Sequence, residues 1–129
     1  HVGAGTFKPV EAEHIQEHVM HSELYSIPEF TCKCIDSGKP LLAVGTTVTR
    51  TIEYYVREKQ TQGACNLFLH PCNLPQRVTH LLTNFHLPKS TLIMLVASFV
   101  GVEKTMELYE EAVKKNYRFF SYGDAMLIL

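Results

Sequence analysis

The stretch EHIQEHVMHSE, residues 13 to 23, concentrates imidazole and carboxylate groups. On a helix, His14, His18 and His21 would share one face, because residues three or four apart are neighbours on a helical surface. Zinc sites use helical HxxxH spacing and need three or four ligands in tetrahedral geometry. The stretch lacks the HExxH order, since Glu17 precedes His18. It leaves open a zinc site, an acid–base site or three unrelated surface histidines, and the order argues against zinc.

A second polar group follows the apolar run LLAVG, residues 41 to 45, which is typical of a buried strand. Thr46 and Thr47 come next and are predicted to cap a helix. The free N–H groups at such a helix start bind anions, and Arg50, one turn in, would reinforce them. The stretch has neither GxGxxG nor GK[ST], so no Rossmann or P-loop site is predicted. The alternative is that the threonines only cap the helix.

The segment TNFHLPKS, residues 83 to 90, is the densest polar loop. It lies between an apolar strand pattern and an apolar helix pattern, which is where α/β sheets place ligand sites. Helix capping accounts for Ser90 and solvation for Lys89. Neither accounts for Asn84 or His86, which are therefore candidate site residues.

A fourth polar group is RFFSYGD, residues 118 to 124, in which Arg118, Tyr122 and Asp124 surround two phenylalanines expected in the core. Arg118 and Asp124 have opposite charges. They either pair with each other, which would be structural, or face a cleft. The sequence leaves both interpretations open.

Periodicity and turn residues predict the elements that position these groups. Apolar residues recur at helical spacing after Thr46, and Ser90 and Gly101 delimit an apolar helix. Alternating strands and helices predict an α/β layered domain with a mixed, largely parallel sheet flanked by helices. The predicted strands are 24–27, 41–45, 66–71, 78–85, 118–122 and 125–129, and the predicted helices are 13–21, 28–38, 46–56, 90–101 and 103–116.

Bulk composition narrows the class of protein. The 129 residues suffice for one domain with a core, and a net charge of −1 gives no support for a strongly basic nucleic-acid binder. The longest apolar run, residues 91 to 102, is shorter than the roughly 20 residues of a membrane span. No signal peptide is recognisable, and four irregularly spaced cysteines indicate reduced thiols in the cytoplasm. Because the chain starts at His1 rather than Met, we expect a fragment.

Five blocks together carry a family resemblance: HVGAGTFKPV (1–10), HVMHSE (18–23), AVGTTVTRTIE (43–53), LLTNFHLPKSTLIMLVASF (81–99) and YRFFSYGDAML (117–127). In this order they closely resemble the S-adenosylmethionine:tRNA ribosyltransferase-isomerase family of queuosine biosynthesis. The resemblance covers the C-terminal part of the longer family chain. It implies that residues 1–129 form the C-terminal portion of a single α/β domain, without the upstream strands and the β-barrel-like insertion of the family.

The resemblance also implies an activity. The family moves the ribosyl moiety of S-adenosylmethionine to the 7-aminomethyl-7-deazaguanine wobble base of tRNA, forming epoxyqueuosine and releasing adenine and methionine. The implied partners are tRNA and S-adenosylmethionine, with no metal cofactor and no membrane. A cytoplasmic protein that is monomeric when intact is the corresponding expectation.

The implied chemistry needs a base, an acid that assists adenine departure, and donors for the methionine carboxylate. Within the first stretch, His14 falls at a variable position of the family, which leaves His18, His21 and Glu23. Matched to the motifs, the candidate catalytic residues are His21, Glu23, His86 and Asp124. The candidate substrate-binding residues are Thr46, Thr47, Arg50, Asn84, Lys89, Ser90, Arg118 and Tyr122.

Two other interpretations remain: a zinc hydrolase using His14, His18 and His21, and a non-catalytic α/β binding fragment. Metal analysis separates the first from the transferase. We expect purified protein to carry far less than one zinc per chain, because the stretch supplies too few ligands in the required order. Stoichiometric zinc that survives dialysis would restore the hydrolase interpretation.

Turnover of S-adenosylmethionine to adenine, dependent on modified tRNA, separates the transferase from a binding fragment. We expect the fragment alone to be inactive.

Overall fold

The computed structural model describes residues 1–3 and 18–129. The predictions made for His14 and for most of helix 13–21 lie outside the described residues. Residues 18–21, the described end of that predicted helix, are not helical. The elements are β1 (Glu23–Ser26), α1 (Glu29–Asp36), β2 (Leu42–Val44), α2 (Thr46–Glu58), β3 (Gln62–Cys65), β4 (His80–Asn84), α3 (Thr91–Val100), α4 (Val102–Lys114) and β5 (Ala125–Ile128).

Strand β4 is the centre of a three-stranded sheet with the order β2-β4-β5. It pairs in parallel with β2, with Val44 opposite Leu82, and antiparallel with β5, with Asn84 opposite Ala125. A separate antiparallel pair joins β1 to β3, with Glu23 opposite Cys65. The predicted α/β class with a mixed sheet and flanking helices is confirmed. In the described part of the chain, β2 and β4 form the parallel pair.

A glycine turn starts helix α2. Gly45 is the N-cap, with φ of 94°, a left-handed value that favours glycine. Its N–H donates to the carbonyl of Leu82 at 2.8 Å, and its carbonyl accepts from the Thr49 hydroxyl at 2.9 Å. The prediction that Thr46 or Thr47 caps the helix is wrong, because no side chain caps this end and both residues already lie within the first turn.

Helices α3 and α4 follow the predicted boundaries. The Ser90 hydroxyl caps α3 by accepting from the Ile93 N–H at 3.3 Å, and Gly101 ends that helix, as the sequence predicts. The spacing of apolar residues predicts that α4 buries a face made of Val102, Met106, Tyr109, Ala112 and Val113. The observed buried face consists of Thr105, Tyr109 and Ala112. Val102, Met106 and Val113 are more than half exposed, so this part of the prediction is wrong.

Residues 66–71, predicted as a strand, form a loop. Side chains take up the backbone groups that a strand would pair. The Leu67 carbonyl accepts from Arg50, and the Phe68 carbonyl accepts from the Asn73 amide at 2.7 Å. An isolated bridge between His70 and Asn73 closes the loop.

Residues 118–122, also predicted as a strand, form a turn. Phe120 has φ of 70°, which an extended strand cannot accommodate. Its N–H donates to the carbonyl of Phe85 at 2.8 Å. This contact folds the turn back onto the end of β4.

Two hydrophobic clusters make up the core, and Leu67 and Phe99 pack against both. The first cluster contains Tyr25, Ile27, Cys32, Ile35, Ala43, Ile52, Tyr55, Cys65 and Val78. The second contains Leu69, Leu81, Phe85, Leu95, Val96, Tyr109, Ala112 and Ile128.

No helix in the described residues is long and apolar enough to span a membrane.

A buried carboxylate connects α2 to the segment that leads into β4. Glu53 is fully buried, and its side chain accepts from the Arg57 guanidinium at 2.8 Å. It also accepts three backbone N–H groups, from Gln76, Arg77 and Val78, at 2.7 to 2.8 Å. One carboxylate thereby fixes the approach of the chain to the central strand.

We predict that Glu53→Gln lowers the free energy of unfolding by about 3 kcal/mol, because the amide loses the charge and turns a donor toward backbone donors. Urea denaturation measures this change. Glu58→Gln is the matched control, since Glu58 lies in the same helix and is exposed. Equal effects of the two substitutions on the free energy of unfolding would contradict the structural role of the Glu53 carboxylate.

Candidate functional site

A cavity of about 260 Å³ opens where the parallel strands β2 and β4 end. This is the edge at which open α/β sheets bind ligands. Five of the predicted substrate or catalytic residues meet there: Thr46, Thr47, Asn84, His86 and Ser90. The remaining lining residues are Val2, Val44, Gly45, Val48, Thr83, Leu87, Leu92, Phe120 and Ser121.

The N-terminus of α2 forms one wall of this cavity. The first N–H groups of a helix have no intrahelical acceptor, and the helix dipole makes this end positive. The first turn, which begins at Thr46, carries no acidic side chain that would compete for these donors. The wall is therefore suited to a carboxylate or a phosphate.

His86 also lines the cavity and is 8% exposed. Its Nε2 lies 2.9 Å from the Thr83 hydroxyl oxygen, and its backbone N–H donates to the Tyr109 hydroxyl at 3.1 Å. Burial lowers the pKa of His86 to about 4. The imidazole is consequently neutral at neutral pH and offers one donor and one acceptor rather than a positive charge.

Asn84 and Ser90 contribute differently to the cavity. The Asn84 amide is exposed and donates to the backbone carbonyl of Asp124 at 3.2 Å, so its oxygen is available to a ligand. The Ser90 hydroxyl donates to the Leu87 carbonyl at 2.7 Å and accepts from the Ile93 N–H. Its two contacts are those of a helix cap.

The structure resolves the alternatives for Arg118 and Asp124, because the two side chains pair. Arg118 Nε and Nη2 each lie 3.0 Å from a carboxylate oxygen of Asp124. These hydrogen bonds lower the pKa of Asp124 to about 2, so the carboxylate stays ionised. Neither residue lines the cavity, and instead Phe120 and Ser121 from the turn between them do.

His21, Glu23 and Arg50 form a second polar cluster, apart from the cavity-lining residues. Arg50 Nη1 lies 3.1 Å from Glu23 Oε2, and His21 Nε2 lies 3.4 Å from Glu23 Oε1. Glu23 and Arg50 are 5% and 2% exposed. Burial lowers the pKa of the Arg50 guanidinium.

Arg50 makes three further hydrogen bonds. Its guanidinium donates to the carbonyls of Leu67, His21 and Cys65 at 3.0, 3.4 and 3.5 Å. The expectation that Arg50 reinforces the anion-binding turn is not met, because its side chain is directed to the β1–β3 side of α2. It crosslinks β1, β3 and the loop after β3.

Lys89 and Tyr122 also lie outside the cavity lining. Tyr122 is 74% exposed. Lys89 is exposed, with φ of 58°, and borders a separate apolar groove between α3 and α4. The described residues contain no group of three or more His, Cys, Asp or Glu side chains placed to hold a metal. His18 contacts the ring of Phe68 instead, with centroids 5.3 Å apart.

Comparison with known proteins gives a family. Residues 1–128 match the family model described as queuosine biosynthesis protein. The chain belongs to the queuosine biosynthesis protein family. This confirms the resemblance carried by the five sequence blocks.

Two curated relatives named S-adenosylmethionine:tRNA ribosyltransferase-isomerase illustrate the similarity. The protein of Nitratiruptor sp. is 70% identical and that of Campylobacter jejuni 67% identical, each over all 129 residues. The chain spans 38% of the length of each relative. A crystal structure of S-adenosylmethionine tRNA ribosyltransferase from Thermotoga maritima matches with a TM-score of 0.72 at 46% identity, over 80% of this chain and 39% of that one.

Sequence reasoning missed several cavity residues of this family member: Gly45, Thr83, Phe120 and Ser121. Thr83 had a detectable signal, because it is the first residue of the polar segment TNFHLPKS and lies near the end of the predicted strand 78–85. The two residues from the 118–122 turn had none, since their placement depends on the Phe120–Phe85 hydrogen bond.

The low pKa of His86 makes stability pH-dependent. Well above pH 6.5, its ordinary pKa, the histidine is neutral in the folded and in the unfolded chain. Between about pH 6.5 and pH 4, the unfolded chain binds a proton on this histidine and the folded chain does not. As the pH decreases from about 6.5 to about 4, the free energy of unfolding should therefore decrease, by up to about 1.4 kcal/mol per pH unit from this group. We predict a shallower dependence for His86→Asn, measured by urea denaturation, than for the control His18→Asn. Parallel curves for both variants would contradict the burial effect.

Proposed function

We propose that the protein carrying this chain is a transferase-isomerase that moves the ribosyl moiety of S-adenosylmethionine to a 7-aminomethyl-7-deazaguanine in tRNA. Epoxyqueuosine, adenine and methionine are the products. The observation that carries the proposal is that the family blocks AVGTT and LLTNFHLPKS meet at one cavity. The names of the two relatives support the same activity.

We assign the α2 N-terminus, at Thr46 and Thr47, to the methionine carboxylate of S-adenosylmethionine. A helix N-terminus supplies aligned N–H donors for an anion of this size. The cavity of about 260 Å³ is below the 300–1,000 Å³ usual for small-molecule sites. It therefore holds part of the ligand, in keeping with a chain that spans 38% of its relatives.

Asn84 and His86, which also line the cavity, would bind the nucleoside portion of the same ligand. Asn84 offers an amide oxygen, and His86 offers a neutral imidazole. With a pKa of about 4, His86 is a weak base near neutral pH and acts as a hydrogen-bonding group. Apolar side chains on the cavity wall, Val44, Val48 and Leu92 among them, are suited to the purine and ribose carbons.

The other predicted residues receive different proposed roles. Glu23 and Arg50, buried and paired, position β1 against α2, and His21 extends that network. Lys89 is an exposed cation suited to a tRNA phosphate, whereas Arg118 and Asp124 maintain the turn that supplies Phe120. We further propose that the intact protein works as a cytoplasmic monomer without a metal.

The activity is tested with the intact protein, S-adenosylmethionine and tRNA that carries 7-aminomethyl-7-deazaguanine. We expect adenine release together with epoxyqueuosine, and neither product with tRNA that has unmodified guanine at the wobble position. His86→Ala should lower kcat/KM at least about 10-fold, the value of one buried hydrogen bond. His18→Ala, outside the cavity, is the control. Adenine release that does not depend on the tRNA base would contradict the proposal.

A further inference from the structure

The contact between Thr83 and His86 forms one wall of the cavity. Thr83 is 5% exposed and lies in β4 opposite Met126 of β5, so its backbone is held by the sheet. Its hydroxyl oxygen lies 2.9 Å from His86 Nε2. A hydroxyl donates one hydrogen bond and accepts up to two, so this contact could run in either direction.

The Thr83 hydroxyl proton needs a hydrogen-bond acceptor, and this need decides the direction of the Thr83–His86 hydrogen bond. Among the described residues, the Thr83 hydroxyl has no second hydrogen-bond partner. If it accepted from an Nε2–H, its own proton would have no acceptor among the described residues, and at 5% exposure such a proton is costly to leave unpaired. If it donates to Nε2 instead, both groups are satisfied. Nε2 is then the acceptor nitrogen, and the ring proton of the neutral imidazole resides on Nδ1.

The second nitrogen of the ring is open. Within the described part of the chain no hydrogen bond reaches His86 Nδ1. This atom is also not enclosed by protein, so a ligand can reach it. The ring itself lines the cavity. The bond from the His86 N–H to Tyr109 fixes the backbone, and Tyr109 also stacks edge-on against Phe85 with centroids 5.6 Å apart.

We infer that Thr83 is a positioning residue that holds His86 in the Nδ1–H form, with Nδ1 presented to the cavity as a hydrogen-bond donor. The acceptor would be a ring nitrogen or a ribose oxygen of the nucleoside portion of the ligand. This inference rests on the proposed function for the identity of the ligand. It rests on the Thr83–His86 geometry for the form of the ring.

The form of the ring is measured directly by nitrogen NMR of the intact protein labelled with ¹⁵N-histidine, at pH 7 and without ligand. We expect wild-type His86 to show a protonated Nδ1 and an unprotonated Nε2. Thr83→Ser keeps the hydroxyl and should preserve this pattern. Thr83→Val removes the hydroxyl and should shift the ring toward the Nε2–H form. A wild-type ring protonated on Nε2, or an unchanged pattern in Thr83→Val, would overturn the inference.

Turnover tests the consequence for the ligand. We expect Thr83→Val to lower kcat/KM for S-adenosylmethionine about 10-fold and Thr83→Ser to stay within about threefold of wild type. Equal activity of Thr83→Val and wild type, or an equal loss in both variants, would overturn the positioning role. Absence of turnover in the wild-type protein would overturn the proposed function, whereas the NMR pattern would still decide the form of His86.

Discussion

The burial of the Glu53 carboxylate organises the path of the chain on which the sheet and the cavity depend. Its oxygens accept three successive backbone N–H groups, from residues 76 to 78, immediately before β4 begins. A buried charge is costly unless it is paired and hydrogen-bonded, and here both conditions hold through Arg57. The approach of the chain to β4 is thus determined by α2. Since β4 pairs with both β2 and β5, the carboxylate sets the position of the whole sheet.

The buried charges are satisfied away from the cavity, which leaves the cavity neutral. Glu53 pairs with Arg57, and Glu23 pairs with Arg50 on the β1–β3 side of α2. The cavity contains backbone N–H donors, an amide, hydroxyl groups and an imidazole whose pKa burial has lowered to about 4. Such a site recognises a ligand by hydrogen bonds in fixed directions. The helix N-terminus adds a preference for negative charge at one end.

Local signals were sufficient for several elements. Strands β2, β4 and β5 were predicted from their apolar runs, and helix α3 was predicted from the serine and glycine that delimit it. Prediction was wrong for 66–71 and 118–122, where apolar residues are frequent but the backbone bonds elsewhere. In the first segment, Arg50 and Asn73 take up the carbonyls of Leu67 and Phe68. Arg50 lies 17 residues from Leu67, and no local pattern encodes a partner at that distance.

The sequence by itself determined the family, the α/β class and the two motifs that meet at the cavity, because long motifs and periodic apolar patterns are local properties of the chain. Tertiary structure decided which polar residues line the cavity. Arg50 lies one turn from Thr46, yet Glu23 holds its side chain on the other side of α2. Arg118 and Asp124 pair with each other, and Thr83 joins His86. Charge pairing and desolvation depend on neighbours that only the fold brings together, so residue type and spacing could nominate these groups but could not assign their partners.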